Sequence, residues 1–417
     1  MNVSITIKFM NPLKISGGPI LLFIAFFAFI TSCDNQKSLK NQIKNLDNKN
    51  YEILDPYLKN KTVVGIGEGS HGDGELFKLK SEIIRHLHVE LGFEAVLMEA
   101  DFLAVENTLT YLSSQSKKTA SNNTIQSTWA NSKEFLSFIE YLQTTAERGD
   151  TLYFHGIDPQ MTGTESLAIH ISQAESFKAY ITAGEFNCLI SIINLSKTRN
   201  VSSITLDSLN TLHLAVKRIA KAKNQVSPKS YQWLKNIEGN LKSLQNLKLA
   251  PPVNAETIPE VFSHPRILMA GSIRDSLMSE NVQFYLKKYK KVIIWAANKH
   301  LQVKSGERIW MGELLKNSLG DEYYSILVLY HHGVWSYPGG QPNGIIPEPT
   351  NGTLAFEIGN ITNFNISFLD IKSTNLPRIR VRTNNWVTTD SVIVNDFADA
   401  ILFVKEATGS TMAKDND

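Results

Sequence analysis

The stretch GIGEGSHGDGE, residues 65–75, sets Glu68, Ser70, His71 and Glu75 among five glycines. Three chemistries suit such residues. The first is a phosphate-binding loop, but the G-x-G-x-x-G spacing is met only by Gly67, Gly69 and Gly72, and Glu68 would place a negative charge where a pyrophosphate must lie. The second is a serine nucleophile. Ser70 lies in a G-x-S-x-G pattern whose first small residue is replaced by Glu68, and that turn tolerates only small residues. Ser70 therefore reads as a turn or helix-capping residue. The third is a histidine base. Glycines let the backbone carry His71 into a crowded mouth. Glu68 or Glu99 would fix its tautomer and stabilise its cation, the part a carboxylate plays in a triad. A salt-bridged loop without catalysis is the competing account. A second carboxylate at Glu99 and a second histidine at His300 favour a site.

Positioning such groups requires a scaffold, and six short apolar runs supply one: 61–67, 93–98, 151–157, 266–270, 291–297 and 323–329. Near-continuous apolar runs of this length predict strands buried on both faces, as in a parallel sheet. Helical patterns at 75–91, 132–148 and 274–288 separate them. The expected fold is α/β, a parallel-sheet core flanked by helices. In such sheets ligands bind beyond the carboxyl ends of the strands. Glu68, His71, Glu99, Asp158, Arg274 and His300 all follow runs and are expected to converge there. Residues 162–252 lack strand patterns and predict a large helical insertion, either a cover for a pocket or structural filling. Residues 364–371 and 378–382 alternate like strands, and 399–404 reads as a buried one. His331 and His332 make a poor ligand pair, since strand neighbours face opposite ways.

The ends carry separate signals. Residues 1–32 hold Lys8, Lys14 and no acid, followed by an apolar run too short for a comfortable membrane span, and read as an export signal. Ile30-Thr31-Ser32-Cys33 looks like a bacterial lipobox, with Cys33 lipidated; an ordinary signal with an incidental cysteine is the alternative. Residues 33–50 are polar and predict a tether, so the chain is expected to be exported and lipid-anchored to a bacterial membrane, at the periplasm or cell surface. Residues 410–417 read as a frayed tail. Without the two signal lysines the chain has 40 basic and 40 acidic residues, so it offers no basic footprint for nucleic acid. Cys188 is the only other cysteine and cannot form an internal disulfide with a lipidated Cys33; it reads as a small buried hydrophobe.

The stretch GIGEGSHGDGELFKLKSEIIRHLHVELGFEAVLMEAD resembles the erythromycin esterase family, with its G-E-x-x-H-G loop, helix and strand ending E-A-D. The resemblance continues in FHGIDPQ, RDSLMSEN, KVIIWAANKH, MGELLKNSLGDEYYSI and DAILFVKEATG, spanning about residues 50–409. It implies an α/β core with a large helical component and hydrolysis of a macrolide lactone without an obligatory metal. His71 then matches the general base, Glu68 and Glu99 the motif carboxylates, Arg274 the R-D arginine, and His300 the second histidine of H-N-x-H. Two positions depart: the first histidine of H-N-x-H is Ala297, and the basic residue of the first helix, often arginine, is Lys80. The lost histidine and the export signal both weigh against a macrolide substrate.

The expected function is hydrolysis of a small-molecule ester or lactone by water that His71 activates, with Glu68 or Glu99 orienting His71. Arg274 and His300 would stabilise the oxyanion or bind substrate, with Lys80, Asp158 and Asn298 as further substrate contacts, and no cofactor or metal is called for. Two alternatives stand beside it. One is a metal-dependent hydrolase using Glu68, His71, Glu99 and His300, a set acceptable to zinc or manganese. The other is a ligand-binding lipoprotein without catalysis.

Overall fold

In the computed structural model, residues 39–415 are described, apart from 200–204, 223–224, 251–262, 305, 338–342, 373, 375–378, 384–387 and 393. The signal segment, Cys33 and the first part of the tether lie outside the described residues. Contacts divide the chain at Gln42/Ile43. Of the smaller unit only residues 39–42 are described, and they are helical.

The larger unit begins inside the expected tether. Strand β1 (Lys44–Asn45) pairs with a later strand, and Leu46 is buried in the core. The apolar residues of that polar stretch bury, so the fold starts earlier than residue 51. Strand β2 (Val63–Ile66) follows, and then the glycine loop leads into helix α1 (Gly74–Leu91). Asp73 caps α1 by accepting from the Leu76 amide, so the cap is Asp73 and Ser70 is the turn residue, accepting from Gly72. Gly92, with φ of 68°, ends the helix in the left-handed region that glycine enters without strain.

Next come strand β3 (Ala95–Asp101), helices α2 (Ser127–Ala130) and α3 (Lys133–Glu147), and strand β4 (Tyr153–Asp158). Helices α4 (Ser166–Glu175), α5 (Ala183–Thr198), α6 (Leu206–Lys221) and α7 (Pro228–Lys248) occupy the stretch without strand patterns. Cys188, on α5, is free and half-buried.

Residues 266–270, expected as a strand, lie instead in helix α8 (Pro265–Leu286). An apolar run this short does not distinguish the two states. His264 caps this helix and Pro265 sits at its first turn, where the missing N–H costs nothing. Met269 is exposed, so the run is not buried on both faces.

Strand β5 (Val292–Trp295), short helix α9 (Asn298–Leu301), helix α10 (Met311–Leu319), strands β6 (Tyr323–Ser336) and β7 (Asn343–Ile346), helix α11 (Leu354–Ile361), strands β8 (Ile366–Asp370), β9 (Ile379–Thr383) and β10 (Thr388–Val392), and strand β11 (Ala400–Ala407) complete the unit. His331 and His332 touch each other, Nδ1 to Nδ1 at 2.9 Å, where alternation places them apart.

The main sheet runs β1-β8-β11-β6-β2-β5-β3-β4, with β7 beside β6. The six strands from β11 to β4 are parallel, while β8, β1 and β7 join antiparallel. Helices flank this sheet, and β9 and β10 form a separate hairpin. The chain moves from β2 toward β3 and β4, then returns through β5 and reaches β6 on β2's other side. The crevice where such a sheet changes direction is where ligands bind.

Residues 408–413, just after β11, pack against the unit instead of fraying. Ser410 and Ala413 are buried, and residues 408–413 bond to three separate segments. Among the described residues no helix is long and apolar enough to cross a membrane.

Candidate active site

The carboxyl ends of β2, β5, β3 and β4 lie side by side and bring the sequence-predicted residues together. The loop after β2 is seated by its backbone: the Gly67 amide donates to Ile326 and the Asn298 amide to the Glu68 carbonyl, each at 2.8 Å. A Cβ on Gly67 would lie 2.1 Å from the Asn298 side-chain oxygen, so this approach needs glycine.

Glu68 is 1% exposed and accepts four hydrogen bonds. Its Oε1 takes His71 Nδ1 at 2.7 Å and Trp129 Nε1 at 3.1 Å. Its Oε2 takes Lys80 Nζ at 3.0 Å and Trp295 Nε1 at 2.7 Å. Burial works to raise this carboxyl, but Lys80 and His71 hold it below the ordinary range. Glu68 is therefore an anion that orients the imidazole, with no lone pair left to take a proton from water. With Nδ1 committed, Nε2 is the free nitrogen of His71. The side chain is 28% exposed and its ring lies 4.4 Å from that of Trp129.

Lys80 is fully buried, so it has no surface for substrate; it neutralises Glu68 and lies 4.3 Å over Trp295. Burial pushes it down to about 8 against the pull of Glu68, which leaves it cationic at neutral pH. Asn298 is also committed. Its amide donates to the Val328 carbonyl at 2.8 Å and accepts from the Val328 N–H at 2.9 Å, pinning α9 to β6. Lys80 is thus closed to a substrate, whereas half-buried Asn298 keeps one amide N–H beyond its bonds to Val328.

A second cluster adjoins the first. Glu99 sits at a bulge in β3, where the register with β4 slips between Met98 and Asp101. Gly156 of β4 permits it, since a Cβ there would lie 2.1 Å from the Asp101 carbonyl. Arg274 arrives from helix α8 rather than from a strand end. It grips Asp158 with Nε at 3.0 Å and Nη2 at 2.6 Å, and Glu99 with Nη2 at 2.8 Å. Burial works against its charge, but Asp158 and Glu99 hold it firmly cationic. Glu99 also accepts from the Ala297 amide at 2.8 Å and lies 3.1 Å from His300 Nε2. Burial is again outweighed: His300 and Arg274 hold Glu99 well below the ordinary carboxylate range.

His300 Nδ1 meets Asp275 at 2.5 Å. Burial pulls the imidazole down, but Asp275 and Glu99 raise it to about 9, so it is cationic at neutral pH and donates to both. The 3.1 Å approach of Arg274 Nη1 to His300 Nε2 is then two donors meeting beside the Glu99 oxygen they share. Asp275 also accepts from Arg308 Nη2 at 2.5 Å, and that guanidinium lies 3.8 Å over Trp310. Asp73, two residues from His71, is wholly buried. Burial pushes its carboxyl up to about 7, against the pull of the Tyr330 hydroxyl.

Four residues central to this network escaped the sequence reading. Asp275 had a signal, as the partner of Arg274 in the R-D pair. Trp295 had a weaker one, since a buried indole N–H needs an acceptor. Trp129 and Arg308 had none. A metal is poorly served by these groups: Glu68 is saturated with donors, and His300 is itself a donor on both nitrogens. Among the described residues no group of three or more His, Cys, Asp and Glu is placed to hold an ion.

A protein-family model described as erythromycin esterase matches residues 88–387. The Bacillus subtilis (strain 168) protein named "Putative hydrolase YbfO" is 24% identical over 319 residues, 71% of this chain and 69% of that one. Among solved structures, a succinoglycan biosynthesis protein superposes with a TM-score of 0.72 at 16% identity, covering 90% of this chain and 97% of its own. A Bacillus cereus protein gives 0.71 at 17% identity, covering 91% and 99%. A mutant of the erythromycin esterase EreC in its open conformation gives 0.65 at 18% identity, covering 87% and 94%. At these identities the structural likenesses establish a shared fold.

Proposed function

The chain is a hydrolase of the erythromycin esterase family, and from that premise we propose that it cleaves an ester or lactone with water activated by His71. The observation that carries this reading is the arrangement at Glu68: a fully ionised, donor-saturated carboxylate holds Nδ1, and the partly exposed imidazole keeps Nε2 for water.

In this mechanism Nε2 takes a proton from water as the oxygen attacks the substrate carbonyl, and the imidazolium is stabilised by Glu68. Arg274 is the donor for the oxyanion, and cationic His300, whose two N–H groups are spent on Asp275 and Glu99, adds its charge from behind; Asp158, Glu99 and Asp275 hold both in advance. Collapse of the tetrahedral adduct breaks the bond to the alcohol, which takes the proton back from His71. The products are an acid and an alcohol, and a lactone yields both in one opened chain. No cofactor enters this sequence. The half-buried Ala297 leaves a small side chain where the family histidine would stand, so Arg274 and His300 take the larger share of charge stabilisation. A macrolide is one candidate lactone, and the missing donor argues for a different one. The sequence also supports export and a lipid anchor on Cys33.

The test is mass-detected gain of one water across macrolides and simple esters, with His71→Ala and a chelator run in parallel. The expected result is turnover that falls by about 10²–10⁴-fold in His71→Ala and ignores chelator. Loss to chelator would move the case to the metal-dependent alternative. Ligand binding without turnover in any arm would move it to the non-catalytic one.

A further inference from the structure

The stretch after β11 lies against the loop that carries His71. The Gly74 amide donates to the Thr408 carbonyl at 2.9 Å, and the Ser410 amide to the Gly72 carbonyl at 3.0 Å. The same Gly72 carbonyl accepts from Ser336 at 2.9 Å, and Ser336 Oγ donates to the Ser410 carbonyl at 2.9 Å. Gly409 fits this crossing because it has no side chain: a Cβ would lie 2.3 Å from Ser336 Oγ.

Three residues later the chain grips a different wall. The Lys133 amide donates to the Thr411 carbonyl at 2.9 Å, the Ala413 amide to the Asn131 carbonyl at 2.8 Å, and the Thr411 amide to Glu134 Oε2 at 3.0 Å. This is the junction between α2 and α3, immediately after Trp129. Trp129 donates to Glu68 and lies across the His71 ring. The loop bearing the base and the segment bearing the indole are far apart in sequence, and residues 408–413 are bonded to both.

We infer that residues 408–413 are a working part of the active site, a strap that holds the His71 loop in register with Trp129, and that Trp129 is the positioning residue through which it acts. The strap bonds Gly72 and Gly74, next to the base, and Asn131 and Lys133, next to the indole. Its loss frees the two walls to slide. Trp129 fixes both partners of the base: its N–H sets the Glu68 oxygen that accepts from His71, and its ring sets the imidazole plane. Misplacement of a reacting group by about 1 Å costs up to about a hundredfold in rate.

This inference rests on His71 as the base, and the experiment separates the two ideas by a readout that needs no substrate. A protonated imidazole quenches an indole it touches; Trp233 also meets a histidine, His170, so the His71–Trp129 contact is read as the part of the pH-dependent indole fluorescence that Trp129→Phe removes. Full-length protein is compared with Trp129→Phe, His71→Asn, a chain ending at Ser410, and Glu134→Ala, a milder variant that loses the Thr411 contact and keeps the chain intact. The expected result is a fluorescence step in the wild type whose His71–Trp129 part is lost alike in Trp129→Phe and His71→Asn. It should be at least halved in the shortened chain and reduced in Glu134→Ala. On any ester the wild type turns over, kcat should drop about ten- to a hundredfold in the shortened chain with KM within about twofold. A full step in both strap variants would overturn the inference whether or not an ester is found. Absence of turnover with the step behaving as expected would overturn the esterase reading and leave the strap standing.

Discussion

At the scale of single residues the site is a set of charges that have already found partners. Glu68 has Lys80, Glu99 and Asp158 have Arg274, and Asp275 has His300 and Arg308. Asp73 is the exception, a buried carboxyl that forms no close ion pair among the described residues. Its value of about 7 stands well above the ordinary ~3.9. The folded chain keeps this proton where the unfolded chain has lost it, so wild-type stability falls as pH rises from about 4 to about 7 and the deficit persists above that. Asn at this position stays neutral and still caps α1. Asp73→Asn should match the wild type near pH 4 and exceed it by about 2–4 kcal/mol at pH 8, read from denaturant midpoints. A difference that does not change with pH would show that the carboxyl is ionised throughout. The sequence made His71, Glu68, Glu99, Arg274 and His300 legible because histidines, carboxylates and arginine announce their chemistry by type. It left Trp129 out because an indole earns its role here by where it packs.

At the scale of elements, β2 and α9 meet through Gly67 and Asn298, and this contact sets how the Glu68 loop leaves the sheet. Gly67→Ala should destabilise the fold by about 1–3 kcal/mol, because the new methyl must displace an amide that bonds Val328 twice. Asn298→Ala alone loses those bonds. The double variant should cost less than the sum of the two, since the smaller side chain makes room for the methyl. Strict additivity, measured by chemical denaturation, would show that the clash is relieved elsewhere. The parallel core was readable from apolar run length, and β2 to β6 fall close to expectation. The exception, residues 266–270, has a physical cause: four apolar residues after Arg266 fit a strand or one helical turn equally, and only Pro265 and the length of the following pattern choose. The bulge at Glu99 was written less openly, in the glycine of β4 that allows it.

At the scale of the whole molecule, the parallel core and the helical stretch between β4 and β5 follow the sequence pattern, while both termini of the folded unit extend further than composition implies. Local polarity misleads there, since β1 and the stretch after β11 are held largely by backbone hydrogen bonds, which polar and apolar residues make alike. The proposed anchor is tested at this scale too. In bacterial cells the wild type should fractionate with membranes and incorporate labelled fatty acid, and Cys33→Ala should lose the label. A labelled Cys33→Ala protein would place the lipid elsewhere. The position of β11 has a consequence in time. It follows every other described strand in the chain, yet it lies inside the sheet between β6 and β8, and the residues just beyond it seat the His71 loop. A chain emerging N-terminus first carries His71, Glu68, Glu99 and Arg274 long before it has the segment that bonds their loop. A chain caught before that segment is made holds the clustered side chains and no closed loop around them.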